Sequence, residues 1–353
     1  MTGGAGGWRP TGNRPVRIGL AGLGTMGRNH LRVLEAHPDA HVAAVSDPLP
    51  AAVEAAAGST GAQGFAEPLA MIAEADLDAV VIAAPTTAHE ALARAAIERD
   101  VAILVEKPIA ATVDEALRIV EAGKARGVPV QVGHVERFNP AVLELGRLLA
   151  DGWLSAIYAI VSRRAGPFPA RIRDVGVTID LATHDVDILS WIAGERPIRV
   201  HAETAQRIHA THEDLLFGLL RFPSGARGML DVNWLTPDKR RQLIVIGEEG
   251  MFELDYLTQR LVFTKAPSLT EPALIHGYAP TFAGDTAELH VESGEPLVAE
   301  ISSFLRVVRE GGRPVVDGED GLWAVAIAGA LLDAAAGGRP VDLTELTSRL
   351  AVR

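Results

Sequence analysis

The hydrophobic pattern divides the chain into two parts of different texture. From residue 16 to about residue 134, short apolar runs alternate with alanine-rich stretches of helical periodicity. The runs are apolar almost throughout, as in strands buried on both faces of a parallel sheet. Strand–helix–strand alternation predicts a doubly wound parallel α/β domain. The predicted strands are Val16–Ala21, His41–Asp47, Asp78–Ala84, Val101–Glu106 and Pro129–His134, and helices between them include Met26–Ala36 and His89–Arg99.

After about residue 150, β-rich runs follow one another with short turns, which predicts a mostly antiparallel open sheet in a second α/β domain. One helix, Ile179–Ile192, interrupts the runs, and two more, Val298–Glu310 and Gly321–Ala336, end the chain. We expect a disordered tail at 1–14, a cofactor domain at 15–137 and a substrate and oligomerisation domain at 138–353. The predicted strands of the second domain are Ala156–Arg164, Arg199–Gln206, Leu215–Phe222, Ala226–Trp234, Arg241–Gly247 and Gly250–Tyr256.

Composition narrows the possible classes of function. A net charge of −12 and a pI near 5.4 argue against non-specific binding to nucleic acid or to an anionic membrane. The chain has no cysteine, which excludes disulfides, thiolate catalysis and cysteine-ligated metals. The glycine-rich start lacks the apolar core of a secretory signal, and we find no apolar run of about 20 residues that would span a bilayer. A cytoplasmic location is expected.

A glycine motif marks a dinucleotide site after the first predicted strand. The segment from Gly22 to Gly27 reads G-L-G-T-M-G and opens a helix. In such a turn the first glycine permits the bend, Gly24 lets the backbone approach a pyrophosphate, and the third allows close helix packing. The pyrophosphate would lie at the helix N-terminus, beside Thr25 and Met26. The context predicts a Rossmann cofactor domain.

Asp47 ends the second predicted strand, about 20 residues after the glycine motif, where the fingerprint places an acid. A carboxylate here accepts bonds from the ribose hydroxyls of the adenosine and repels a 2′-phosphate. No arginine follows closely, so the sequence favours NAD over NADP. A helix-capping role for Asp47 is the alternative.

Two further segments carry candidate chemistry. Lys107, within Glu106-Lys107-Pro108, lies at the carboxyl end of a parallel strand, where ligands bind in such sheets. Asp180, His184 and Asp187 stand at i, i+4 and i+7 and would share one helix face. Alone, the lysine could be a solvated strand exit, and the helix face could be a surface of salt bridges.

Together these segments resemble the Gfo/Idh/MocA family of oxidoreductases, named for glucose–fructose oxidoreductase and inositol dehydrogenase. The matching pieces are the glycine motif, Ala84-Pro85-Thr86-Thr87-Ala88-His89, Glu106-Lys107-Pro108 and Asp180-x-x-x-His184, in that order. The resemblance implies that NAD is the cofactor and that Lys107, Asp180 and His184 are catalytic. It also implies that the nicotinamide and its ribose are contacted by Pro85, Thr86, His89, Glu106 and Lys107.

The chemistry of sugar oxidation agrees with these residue types. A neutral histidine can take the hydroxyl proton while hydride passes to nicotinamide, and a nearby aspartate can orient and stabilise the imidazolium. Lysine can stabilise negative charge on the reacting oxygen. Since the cofactor performs the hydride chemistry, no metal is expected.

One departure from the family pattern points to a subgroup. Many members carry two glycines just before the catalytic aspartate, but this chain reads D-V-G-V-T-I from Asp174. The stretch from Ile172 to Val177 and the segment from Gly133 to Ala141 together resemble UDP-N-acetylglucosamine 3-dehydrogenases and related nucleotide-sugar 3-dehydrogenases. Arg137 and Asn139 are candidate sugar contacts, although Asn139-Pro140 could equally begin a helix.

Four arginines, Arg163, Arg164, Arg171 and Arg173, precede the predicted catalytic helix and are candidate contacts to the diphosphate. The alternative is a solvated loop paired with surface acids. The expected reaction is oxidation of C3 of a nucleotide-linked hexose. The alternatives are an NAD-dependent glycosidase acting through a transient 3-keto sugar, a free-sugar or inositol dehydrogenase, and a non-catalytic sensor. We also expect a homodimer or homotetramer, formed through apolar positions of the second sheet: Leu215, Phe217, Leu219, Met229 and Trp234.

Overall fold

The computed structural model describes residues 7–169, 175–266, 285–344 and 346. The chain forms two compact units. The N-terminal unit comprises the residues up to Val135 together with Glu295–Ala326, and the C-terminal unit comprises Glu136–Gly294 and the residues from Ile327.

The N-terminal unit is built on a parallel sheet of six strands in the order β3-β2-β1-β4-β5-β6, the order of a Rossmann fold. Side chains of β1, β4 and β5 are almost entirely buried, because helices cover both faces. Its strands are β1 (Val16–Ala21), β2 (Ala40–Ser46), β3 (Gln63–Phe65), β4 (Ala79–Ile82), β5 (Ala102–Glu106) and β6 (Val130–Gly133). The helices between them are α1 (Thr25–Ala36), α2 (Pro50–Thr60), α3 (Pro68–Glu74), α4 (Thr86–Glu98) and α5 (Val113–Arg126).

The N-terminal unit also contains α8 (Pro296–Glu310), which the prediction assigned to the second domain. Leu297, Ile301 and Phe304 of α8 lie in the same buried cluster as the core residues of β1. The predicted tail differs as well. Trp8 packs against this cluster, and the backbone N–H of Thr11 donates to the carbonyl of Val308 at 3.0 Å, so residues 7–14 are docked on the unit.

The C-terminal unit contains a sheet whose described strands run in the order β14-β13-β12-β11-β7-β10-β9-β8-β15. Every described pairing is antiparallel except that of β7 with β10. The predicted α/β fold with a mostly antiparallel second sheet is therefore confirmed. The strands are β7 (Ile157–Pro167), β8 (Arg199–Ala205), β9 (Leu215–Arg221), β10 (Arg227–Asn233), β11 (Leu235–Gly247), β12 (Gly250–Asp255), β13 (Arg260–Lys265), β14 (Thr286–Leu289) and β15 (Val341–Asp342).

Two helices of the C-terminal unit precede the second strand of its sheet. They are α6 (Pro140–Ala150) and α7 (Thr183–Ala193), and α7 packs on the sheet. A Cβ built on Gly228 of β10 would lie 2.9 Å from Leu189 of α7. The predicted helix at 179–192 is thus present, but its first turn, Thr178–Ala182, is a π-helix rather than an α-helix.

The last helix, α9 (Gly318–Gly337), is long and apolar enough to cross a membrane by length and composition alone. No such stretch was expected from the sequence. Its mean hydropathy is 1.3, and 56% of the apolar window is buried within the structure, as in a helix of a protein core. This criterion is weak evidence for a membrane span.

Candidate active site

The turn between β1 and α1 carries the glycine motif, and close packing requires two of its glycines. Gly22 has a φ of 95°, and a Cβ there would lie 2.6 Å from the carbonyl oxygen of Ala83. A Cβ on Gly27 would collide with the carbonyl oxygen of Gly22. At Gly24, by contrast, a Cβ would meet no atom within 4 Å. The open side of Gly24 at the start of α1 fits the pyrophosphate of NAD, which the helix N-terminus favours.

Asp47 lies directly beside this turn. Its Oδ2 accepts the backbone N–H of Leu23 at 2.8 Å, and its Oδ1 accepts that of Leu49 at 2.9 Å. Each carboxylate oxygen has a further lone pair, so Asp47 can still accept ribose hydroxyls. Thr25 and Met26 are exposed in the first turn of α1. These residues are arranged as a dinucleotide site requires.

The loop after β4 contains the next predicted cofactor residues. Pro85 is exposed and Thr86 is half-buried at the start of α4. His89 is buried, and its two ring nitrogens lie 2.9 Å from the carbonyl oxygens of Ala84 and Pro108. Burial lowers the pKa of His89 despite these acceptors. Its ring therefore joins two loops at the sheet edge, and the expectation that His89 binds the cofactor stays a prediction.

Glu106 and Lys107 follow β5, and the peptide bond from Lys107 to Pro108 is cis. Glu106 is buried, and its Oε1 lies 2.7 Å from Nε2 of His30. Burial acts to raise the pKa of Glu106, but the hydrogen bond from His30 and the charge of Lys107 outweigh it and hold that pKa low. Glu106 thus supplies a fixed negative charge next to the half-buried Lys107.

Behind Glu106 lies a second buried acid, Glu300 of α8, which the sequence analysis did not find. Neither of its carboxylate oxygens has a hydrogen-bond partner among the described residues. Burial and the neighbouring charge of Glu106 raise the pKa of Glu300 well above its ordinary value. Burial thus favours the neutral form of Glu300 in the folded protein.

In the C-terminal unit, Asp180 lies in the π-helical turn and His184 in the first turn of α7. Both are half-exposed. By contrast, Thr183, which lies between them, and Asp185, which follows His184, are buried. π-Helical turns occur frequently at functional sites. The turn is entered through Gly176, where a Cβ would collide with the carboxylate of Glu213. Asp180 and His184 therefore lie in successive turns, each with part of its surface exposed.

The buried side of α7 is fixed by two ion pairs between arginine and aspartate. Nε of Arg164 lies 2.9 Å from Asp185, and Nε of Arg137 lies 2.6 Å from Asp187. A second carboxylate, that of Glu136, lies 2.8 Å from Nη1 of Arg164. Burial acts to lower the pKa of Arg164, but the two carboxylates outweigh it and raise that pKa. Asp187 is therefore a buried anchor, not a member of the exposed face.

Two residues just before α6 were expected to contact the sugar, and both are bonded within the C-terminal unit. Arg137 is 4% exposed and its guanidinium binds Asp187. Asn139 caps α6 by accepting the N–H of Ala141 at 3.1 Å, and its amide donates to the carbonyl of Tyr256. Both side chains make these bonds within the C-terminal unit, and their expected contact with the sugar stays a prediction.

The four arginines that were expected to contact the diphosphate do not share one location in the structure. Arg164 is buried in the ion pairs of α7, as described above. Arg163, the preceding residue of β7, points to the opposite face of the sheet and binds Asp231 at 2.6 Å. Arg171 and Arg173 lie outside the described residues.

A different arginine, Arg241 of β11, lies near the candidate catalytic pair. Arg241 is the cross-strand neighbour of Arg164, and its Nη1 donates to the carbonyls of Ala165 at 2.7 Å and Arg240 at 2.8 Å. Burial and repulsion by Arg164 lower the pKa of Arg241 to about 10, against the pull of nearby carboxylates that include Asp180. The basic run at residues 239–241 was the only sequence signal for it. Within the described ranges, no three histidine, aspartate or glutamate side chains are grouped to hold a metal ion.

Comparison with known proteins supports both units. A family model described as an oxidoreductase family with an NAD-binding Rossmann fold matches residues 16–134, and a Gfo/Idh/MocA C-terminal domain model matches residues 142–253. Inositol 2-dehydrogenase of Rhizobium meliloti strain 1021 is 30% identical over 341 residues, covering 93% of this chain and 99% of that protein.

Two further proteins are similar to this chain, one over part of its sequence and one in its structure. Inositol 2-dehydrogenase 2 of Saccharopolyspora erythraea is 38% identical over 197 residues, which cover 54% of this chain and only 58% of that protein's length. A solved structure of UDP-N-acetylglucosamine 3-dehydrogenase from Acidithiobacillus ferrooxidans superposes with a TM-score of 0.80 at 24% identity, covering 90% of this chain and 97% of that one. This likeness shows a common fold. Because the two family models together match more than half of its residues, this chain belongs to the Gfo/Idh/MocA family of oxidoreductases.

Proposed function

We propose that the chain is an NAD-dependent dehydrogenase that oxidises C3 of a nucleotide-linked hexose, such as UDP-N-acetylglucosamine, to a ketone. The observation that carries the chemistry is the half-exposed pair of Asp180 and His184 on a helix fixed by buried ion pairs. A histidine held in this way, with a carboxylate one turn before it, suits proton abstraction from a hydroxyl.

The proposed roles follow from the ordinary chemistry of each group. Bound NAD supplies the hydride acceptor. His184 in its neutral form accepts the hydroxyl proton, and Asp180 stabilises the resulting imidazolium by its opposite charge. Lys107, next to the buried Glu106, is assigned the stabilisation of negative charge on the reacting oxygen.

The substrate class is supported by the two segments that resemble nucleotide-sugar 3-dehydrogenases. One of these segments runs from Ile172 to Val177. In its described part, Gly176 packs against Glu213 and Val177 is fully buried, so this stretch shapes the entry to the catalytic turn. A free polyol such as inositol is the second candidate, because relatives of 30% and 38% identity carry the name inositol 2-dehydrogenase. The uncharged polyol and the nucleotide sugar differ above all in the diphosphate.

The test is a panel of UDP-sugars, free hexoses and inositols incubated with NAD, with NADH absorbance as the readout. We expect reduction of NAD with UDP-N-acetylglucosamine and a higher kcat/KM than for any uncharged member. Reduction with inositol alone would favour the second candidate. Hydrolysis of a glycoside without accumulation of NADH would indicate the glycosidase, and NAD binding without turnover of any member would indicate a sensor.

A further inference from the structure

Arg241 differs from the other arginines that adjoin the catalytic helix. Arg137 and Arg164 each bind carboxylates, but none of the ion pairs among the residues described includes Arg241. Among those residues, the only hydrogen bonds of its side chain go from Nη1 to two backbone carbonyls. A guanidinium has five N–H donors, so most of those on Arg241 are not used by the residues that the structure describes.

Arg241 is nevertheless held in place. The carbonyls of Ala165 and Arg240 receive its Nη1, and its own carbonyl accepts the backbone N–H of Tyr256 at 3.0 Å. β11 carries a register irregularity between Leu235 and Arg240, immediately before this position. A guanidinium fixed by backbone acceptors is pre-organised for a ligand and loses little side-chain entropy on binding.

The surroundings of Arg241 oppose its charge. Arg164, directly across the strand pair, is buried, and its Nη2 has no hydrogen-bond partner among the described residues. Burial and this neighbouring cation together lower the pKa of Arg241 to about 10. The two guanidinium groups repel each other, and while Arg164 is paired with Asp185 and Glu136, Arg241 has no ion-pair partner among the described residues. An anionic ligand group would relieve that repulsion.

The position of Arg241 limits where the anion can lie. Arg164 binds Asp185, the residue after His184, so the strand pair β7–β11 adjoins the first turn of α7. The charge of Asp180 also acts on Arg241. The site therefore suits an anionic group close to the reacting hydroxyl.

We propose that Arg241 binds an anionic substituent of the sugar, either the phosphate on its anomeric carbon or a carboxylate on its ring. Arginine recognises phosphate and carboxylate alike through paired N–H donors. The inference rests on the proposed sugar oxidation and names the residue that selects a charged substrate over an uncharged polyol.

The experiment compares Arg241→Met and Arg241→Lys with a matched control, Arg240→Met. Arg240 is the preceding residue, and its half-exposed side chain binds Asp238 at 2.7 Å. Three substrates separate the sources of the anion: UDP-N-acetylglucosamine carries the phosphate, glucuronate carries the carboxylate, and myo-inositol carries neither. Circular dichroism and the Kd for NADH establish that each variant is folded.

For Arg241→Met we expect KM for the anionic substrate to rise about 10- to 100-fold, the effect of losing a hydrogen bond to a charged group. The change should appear in KM more than in kcat, because the anionic group does not react. Arg241→Lys should recover part of the loss, and Arg240→Met should resemble the wild type. A rise for the UDP-sugar alone identifies phosphate, and a rise for glucuronate alone identifies carboxylate.

Equal KM values for wild type and Arg241→Met with both anionic substrates would overturn the inference and leave the proposed oxidation intact. If the wild type oxidises inositol alone, the proposed substrate class is wrong. Calorimetric titration with UDP then tests whether Arg241 binds an anion. Binding of UDP that is lost in Arg241→Met but kept in Arg240→Met supports the site. Equal binding, or none to the wild type, contradicts it.

Discussion

At the residue scale, Asp47 joins the glycine turn to the cofactor preference. Its carboxylate receives the backbone N–H groups of Leu23 and Leu49, which fixes it beside the position expected for the adenosine ribose. We predict that the wild type prefers NAD, because the carboxylate repels a 2′-phosphate.

Replacing Asp47 with serine, together with Leu49→Arg, should move kcat/KM toward NADP. Asp47→Asn is the matched control, since it keeps a side-chain acceptor for the turn but removes the charge. The ratio of kcat/KM for the two cofactors is the measurement. A wild type that uses NADP as well as NAD would refute the role given to Asp47.

Glu300 leads to a prediction about stability and pH. Its pKa is raised in the folded protein by burial and by Glu106. The folded state therefore binds this proton more tightly than the unfolded state does, and the stabilisation is lost as the pH rises from the ordinary value of 4.5 toward the raised pKa. Glu300→Gln removes the titrating group and should not suffer this loss.

The free energy of unfolding of Glu300→Gln relative to wild type should thus increase with pH, by up to about 1.4 kcal/mol per pH unit. Urea unfolding at a series of pH values measures it. Glu310→Gln, exposed at the end of the same helix, is the control and should show little change. A difference that is independent of pH would contradict the buried neutral acid.

Arginines show where single-residue prediction fails. The sequence places Arg137 and Arg164 near the catalytic segment, where Arg137 was expected to contact the sugar and Arg164 the diphosphate. Their carboxylate partners lie 50 and 21 residues away in the chain, so the buried ion pairs leave no local pattern. Glycine positions such as Gly22 and Gly27 are predictable, because the turn itself demands them.

At the scale of elements, α7 is the part of the structure that presents Asp180 and His184. Asp187 anchors it through two hydrogen bonds from Arg137, at 2.6 and 2.8 Å, and the guanidinium lies 5.2 Å from the ring centre of Trp191. We predict that Asp187→Ala lowers the free energy of unfolding by about 3–5 kcal/mol, because it leaves a buried cation without its partner.

Asp151→Ala provides the comparison, since Asp151 pairs with Arg147 at the surface, where both side chains are more than half exposed. That change should cost no more than about 1 kcal/mol. Chemical denaturation of both variants tests the prediction. Similar losses in the two variants would show that the buried pair does not hold the helix.

The predicted elements were right where the hydrophobic pattern is strong and incomplete where the pattern is weak. β1, β4 and β5 are apolar throughout, and their bounds were predicted to within a few residues. β3 has only three residues, too few to show a period. The π-helical turn before α7 was invisible, because the same side chains occur in both kinds of helix and only the backbone hydrogen bonds differ.

At the scale of the whole molecule, the return of α8 to the N-terminal unit could not be predicted. Helical periodicity shows that a face is apolar but not which sheet covers it.

The second sheet has apolar side chains exposed on one face. Phe217, Leu219 and Met229 are 51%, 54% and 43% exposed on the face opposite α7. Trp234, expected to belong to the oligomer interface, is buried, and Leu215 is half-buried.

We predict that this exposed face joins copies of the chain into a homodimer or homotetramer, because apolar side chains in adjacent strands gain by leaving water. Leu219→Lys should shift the mass measured by light scattering toward the monomer. Arg221→Lys, on the same face of the same strand, should not. A wild type that is monomeric at micromolar concentration would end this prediction.

The central claim is that His184 abstracts a proton from a nucleotide-linked sugar while NAD is reduced. The most direct test measures kcat/KM from NADH absorbance with UDP-N-acetylglucosamine and with the matching free sugar, for wild type and His184→Ala. We predict a clear preference for the UDP-sugar and a loss of about 10²- to 10⁴-fold in kcat for His184→Ala, with NAD binding retained. Equal kcat/KM for the two sugars, or near-normal kcat in His184→Ala, would contradict the account.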